Sequence, residues 1–112
     1  MDIRQEEISM PNDVILTVKD VTTTTMTLQI ENRTNEQLVY GMEYELQSDR
    51  DGQWQAVNDR PIAVILIAKM LPPKGFVEEQ LDWAHTYGPL RRGTYRLVKR
   101  IGPYTATVQF CI

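Results

Sequence analysis

Cysteine and histidine are nearly missing from this sequence, which holds one of each, Cys111 and His85. A single cysteine excludes an internal disulfide, and a single histidine excludes a metal site built on several imidazoles. Positive charge is short as well. With 12 Lys and Arg against 15 Asp and Glu, the formal net charge is -3. That balance argues against a nucleic-acid footprint, which needs a basic stripe. Hydrophobic runs are short too: the longest, Ile62 to Ala68, falls well below the roughly 18 residues of a membrane-spanning helix. The opening residues, Met1-Asp2-Ile3-Arg4-Gln5-Glu6-Glu7, contain no apolar core of a signal peptide. A lipid anchor, if the protein is made with one, belongs to a precursor longer than this chain.

What is present is alternation. At 112 residues, 42% hydrophobic and 24% charged, the chain has the composition of a folded domain. Its length points to one domain over 1–112, with 1–12 as a loose N-terminal segment. Every second residue is apolar in Thr25-Met26-Thr27-Leu28-Gln29-Ile30-Glu31, in Met42-Glu43-Tyr44-Glu45-Leu46-Gln47 and from Tyr104 to Ile112. Period 2 is the mark of a half-buried strand. Turn residues punctuate these runs at Asn32-Arg33-Thr34-Asn35, Asp49-Arg50-Asp51-Gly52, Pro72-Pro73-Lys74-Gly75, Gly88-Pro89 and Gly102-Pro103. Seven to eight short strands are expected, near 13–20, 24–32, 42–48, 53–58, 62–68, 76–83, 94–101 and 104–112. No stretch carries a capped helical stripe. The fold class is all-β, an antiparallel sandwich or barrel without a disulfide.

Chemistry-bearing patterns are few, and each has a plain structural reading. Asp49-Arg50-Asp51-Gly52 opens like a calcium loop, but the twelfth position, where a bidentate Glu belongs, is Arg60. A hairpin turn is the better reading. Glu43 and Glu45 share one strand face, as solvated carboxylates do, and do not confront each other across a cleft. His85 has Asp82 nearby but no nucleophile to serve. Arg91, Arg92, Arg96, Lys99 and Arg100 gather positive charge around one strand, a patch able to meet an anionic polymer such as wall teichoic acid or a lipid surface. Trp54, Trp83, Tyr40, Tyr87 and Tyr104 supply either a sugar platform or core, and core is the expected use of both tryptophans. No cofactor is expected.

The order of motifs adds to this. Asn32-Arg33-Thr34, Tyr40-Gly41, Asp51-Gly52-Gln53-Trp54, Pro73-Lys74-Gly75, Leu81-Asp82-Trp83 and Gly93-Thr94-Tyr95-Arg96-Leu97-Val98-Lys99 follow one another over nearly the whole chain. This series resembles the bacterial immunoglobulin-like domain family of small secreted proteins and lipoproteins from Gram-positive bacteria. The resemblance implies an immunoglobulin-like β-sandwich outside the cytoplasm, at the cell surface or secreted. In such sandwiches a corner tyrosine opens the penultimate strand, two residues before an inter-sheet cysteine. Here Tyr95 takes the tyrosine position and Leu97 the cysteine position, with Leu28 or Ile30 in place of the partner cysteine. Aliphatic packing should replace the bond. The central-strand tryptophan is absent, leaving Tyr44 as the nearest large inward residue.

The function expected is a non-enzymatic recognition or spacer module, monomeric, meeting a protein or a cell-wall glycan. Trp83, His85, Tyr87, Arg91 and Arg92 are the candidate contact residues. The alternative is a carbohydrate-binding or small hydrolase-associated domain that uses Trp83, His85 and Tyr87.

Overall fold

The period-2 segments become the long strands. In the computed structural model, which describes residues 13–58 and 67–112, Thr25–Asn32 places Met26, Leu28, Ile30 and Asn32 on one face, none more than 1% exposed. The described residues form nine strands: β1 (Val14–Val21), β2 (Thr25–Asn32), β3 (Leu38–Tyr40), β4 (Glu45–Arg50), β5 (Gln53–Ala56), β6 (Lys69–Leu71), β7 (Phe76–Asp82), β8 (Thr94–Ile101) and β9 (Tyr104–Cys111). One sheet has three strands in the order β1-β2-β7. The other has six, ordered β5-β4-β8-β3-β6, with β9 on the opposite edge of β8. Every pairing is antiparallel.

The expected strands recur at 14–21, 25–32, 76–82, 94–101 and 104–111. Three expectations need correction. The strand placed at 42–48 begins only at Glu45, and β3 and β6, three residues each, were not foreseen. Together β3 and β4 lie end to end along one side of β8, as Tyr40 pairs with Ile101 and Glu45 with Val98. They form one strand broken at 41–44. The segment 1–12, and residues 62–66 of the strand expected at 62–68, lie outside the described residues; Ile67 and Ala68 are not in a strand.

The core draws from both sheets. Leu28, Ile30, Leu46, Leu71, Leu97 and Ile101 are fully buried, so aliphatic packing fills the place of the inter-sheet disulfide. Trp83 is fully buried as well, its ring 6.3 Å from Phe110, which stacks on Tyr95 at 5.7 Å. The core tryptophan thus follows β7 instead of sitting on a central strand. Trp54 does not join it. Trp54 is half-buried opposite Asp49 in the β4–β5 pair, and the Arg96 guanidinium lies 4.7 Å over its ring. Strand parity also fixes the chain end. Ala106 and Phe110 face inward, and the Cys111 thiol is exposed.

The hairpin between β4 and β5 turns on two residues, Asp51 and Gly52, with φ of 57° and 83°. Two positive φ values make a turn whose twist suits the paired strands, and glycine adopts the second at no steric cost. Asp49 Oδ1 accepts the Gly52 N–H at 3.0 Å and closes it. The calcium-like spelling is therefore a turn.

Candidate functional site

One end of the sandwich carries a groove of ≈ 340 Å³ between the β4–β5 hairpin and the segment that leads into β8. Ser48 and Arg50 line one wall; Tyr87, Arg91, Arg92 and Thr94 line the other. Parity explains the first wall. Leu46 is buried, so Ser48 and Arg50, two and four residues on, continue the same face past the core.

The second wall is held by its backbone. Trp83 accepts three N–H groups on its carbonyl, from Thr86, Tyr87 and Gly88 at 3.0, 2.8 and 3.2 Å. Trp83 Nε1 donates to the Thr23 carbonyl at 2.9 Å, and the Leu90 N–H reaches the same carbonyl at 2.9 Å. Tyr87 turns its hydroxyl back to accept the Leu46 N–H at 3.3 Å. Burial is the main reason the Tyr87 hydroxyl titrates above its ordinary value; the Leu46 bond pulls it down and Glu45 pushes it up. Tyr95 completes the frame by donating to the Arg91 carbonyl at 2.8 Å, which is the corner bond expected of it. The segment is therefore fixed, while Arg91 and Arg92 upon it are exposed.

Tyr95→Phe removes that corner bond and leaves the Arg91 carbonyl to find water. Its expected cost is about 1 kcal/mol, read as a lower urea midpoint with an unchanged m-value. A midpoint equal to the wild type's would show that the corner contributes nothing.

Of the five candidate contact residues, the groove brings together Tyr87, Arg91 and Arg92. His85 is exposed on the turn after Trp83, outside the groove lining. Trp83 is corrected outright: with no exposed surface and its indole N–H spent on Thr23, it positions the segment and offers no platform to a sugar. The five-residue basic patch also comes apart. Arg96 binds Gln47 Oε1 at 2.6 Å and covers Trp54. Arg100 lines a second hollow, with Val39 and Ile67, beside β3. Lys99 is 3% exposed and turns into the molecule. What the sequence did not single out is Arg50, whose segment reads first as a turn. Its signal is the inward parity it shares with Leu46.

Lys99 belongs to a second polar cluster, at the break between β3 and β4. There the ladder stops, and Lys99 Nζ donates to the freed carbonyls of Gly41 at 2.8 Å and Glu43 at 2.9 Å, lying 5.3 Å from the Tyr40 ring. Burial lowers the affinity of this amine for its proton, against the pull of Glu43 and Glu79. Tyr40 donates its hydroxyl to Glu79 Oε2, and Lys69 Nζ holds both Glu79 oxygens at 2.9 and 3.0 Å. Glu79 lies on β7, Tyr40 on β3 and Lys69 on β6, so this cluster bridges the two sheets. Among the described residues, no group of three or more His, Cys, Asp or Glu is placed to hold a metal ion.

The described fold has a solved counterpart. The chain superposes with a TM-score of 0.58, at 17% identity and over 96% of both chains, on a structure titled archaellum periplasmic stator protein complex FlaF and FlaG from Sulfolobus acidocaldarius. At that identity the likeness is one of fold. No curated protein matches the sequence. The family is nonetheless explicit, because residues 1–111 fit the family model for the bacterial Ig-like domain, and the chain belongs to that family.

Proposed function

We propose that this chain is a single, monomeric domain working as a non-enzymatic recognition or spacer module outside the cytoplasm, carried on a cell-surface lipoprotein. Its contact surface is the groove with Tyr87, Arg91 and Arg92, and its partner is a protein or a cell-wall glycan. One observation carries this reading: two exposed arginines stand on a segment whose backbone is tied down by the Tyr95–Arg91 and Leu90–Thr23 bonds. Side chains presented on a fixed frame lose less entropy when a partner arrives. Membership of an Ig-like family supports a binding rather than a bond-breaking role. The periplasmic setting named for the structural counterpart supports an extracytoplasmic one.

The test compares the wild type with an Arg91→Ala/Arg92→Ala double variant for binding to purified bacterial cell walls and to immobilised surface proteins. Loss of two charged anchors should weaken binding about tenfold or more, or about 1.4 kcal/mol. Both residues are exposed, so the melting temperature should hold. Equal binding by the two proteins would move the contact surface elsewhere.

A further inference from the structure

We propose that the groove binds phosphate diesters of a linear anionic polymer; this deepens the reading above and rests on it. Three arginines line the groove, Arg50 on the hairpin and Arg91 and Arg92 on the segment that leads into β8. The ion pairs among the described residues are Arg33–Glu31 and Lys69–Glu79. None of the three groove arginines has a carboxylate partner among those residues. The one carboxylate on the lining, Asp49, spends one oxygen on the Gly52 N–H, and its single charge leaves the three arginines in excess. Among the described residues, a protein of net charge -3 thus sets three arginines against one carboxylate in a single concavity. Such charges repel each other until an anion arrives, and walls of low dielectric strengthen its attraction.

The lining and its size bear on the kind of anion. Arg50 Nε donates to Ser48 Oγ at 3.2 Å, which fixes the plane of its guanidinium on the hairpin wall. Arg91 and Arg92 come from the opposite wall. A phosphate diester offers two charged oxygens on a tetrahedral phosphorus, each able to accept from more than one arginine N–H, and its two ester oxygens continue the chain to either side. The Ser48 hydroxyl, which accepts from Arg50, keeps its own proton to donate from the same lining, while the Thr94 hydroxyl lies against Cys111 Sγ at 3.9 Å. At ≈ 340 Å³ the groove is far larger than one phosphate. Tyr87 and Leu90 line the remaining space, a mixed surface suited to the polyol or sugar between two phosphates.

The probes are an oligomer of poly(glycerol phosphate), an oligogalacturonate of equal charge, neutral dextran and inorganic phosphate, each titrated calorimetrically. The phosphate oligomer should bind, and weaken steeply as salt rises from about 50 to about 200 mM. Arg50→Gln should lower its affinity about tenfold and Arg91→Gln/Arg92→Gln about a hundredfold, at unchanged melting temperature. Oligogalacturonate binding as tightly as the phosphate oligomer overturns the choice of phosphate. Inorganic phosphate binding as tightly as the oligomer overturns the polymer. A preference for dextran overturns the anion while leaving the groove as the recognition surface. Phosphate-oligomer binding that survives all three Arg→Gln changes overturns the groove itself.

Discussion

Asn32→Ala is expected to cost about 3 kcal/mol, among the largest effects of any single substitution, even though Asn32 touches no proposed ligand. The side chain is fully buried at the inward end of β2. Its Nδ2 donates to the carbonyls of Glu36, Pro72 and Leu71 at 2.8, 3.0 and 3.2 Å. Its Oδ1 accepts the Thr34 N–H at 2.9 Å and the Thr34 hydroxyl at 2.7 Å. One amide therefore fastens the turn after β2 to the turn before β7. Alanine takes the acceptor from the Thr34 N–H and a donor from the Leu71 carbonyl, while the Pro72 carbonyl keeps the Gly75 N–H and the Glu36 carbonyl keeps the Thr34 hydroxyl; each polar group orphaned in the interior costs about 1–3 kcal/mol. Some turn carbonyls will recover water, which keeps the sum near the lower end. In a domain of this size the melting temperature should fall by roughly 15 °C. Asn32→Asp keeps the shape but replaces the donating amide with a buried charge, so it should be no better. A loss below about 1 kcal/mol for Asn32→Ala would mean that the network forms without its centre.

The same residue shows what the sequence discloses and what it withholds. Alternation through Met26, Leu28 and Ile30 puts position 32 on the core face, and the sequence reading of Asn32-Arg33-Thr34 as a turn is right. Its partners Leu71 and Pro72 lie 39 and 40 residues away, and nothing local names them. Tyr95 was legible because its partner, Arg91, is 4 residues upstream in a position the sandwich architecture prescribes. The exposure of Cys111 follows from the alternation of Tyr104 to Ile112, which puts its odd-numbered position on the face away from the core. Strands β3 and β6 were not, since three residues carry too little alternation to register. Lys99 was visible at core parity with Tyr95 and Leu97. Its explanation waits on the strand break at 41–44, whose carbonyls arrive from 58 and 56 residues away. Of the groove, Tyr87, Arg91 and Arg92 were legible as a cluster in sequence. Arg50 joins them only when the hairpin folds over.

Glu79 should make the fold acid-sensitive, and the sign of the effect follows from its surroundings. Burial alone would raise its carboxyl. The hydrogen bonds from Tyr40 and Lys69, with the charges of Lys69 and Lys99, outweigh burial and hold it below its ordinary value of 4.5. An acid whose affinity for protons is lower in the folded state takes up a proton on unfolding. Its stabilising contribution is complete above the unfolded value and is lost as pH falls through the folded one. Glu79→Gln keeps the size of the side chain but removes the charge, so its expected cost near neutrality is about 2 kcal/mol. The gap between the two melting curves should stay constant above about pH 5.5 and close below pH 4.5. The alkaline limb is a poorer readout, because two neighbours titrate there with opposite signs. Burial pushes the Tyr40 hydroxyl up from 10.0, aided by its bond to Glu79, so its contribution fades above that pH. Burial lowers Lys99 from 10.5, so the cost of charging it is relieved as pH rises toward that value. Lys99→Met separates the two halves of this cluster: it should destabilise the strand break by leaving the Gly41 and Glu43 carbonyls unpaired, yet preserve most of the acid limb, because Lys69 and Tyr40 still hold Glu79. Melting curves of wild type and Glu79→Gln that stay parallel down to pH 3 would show that the carboxylate is not what stitches β7 to β3 and β6.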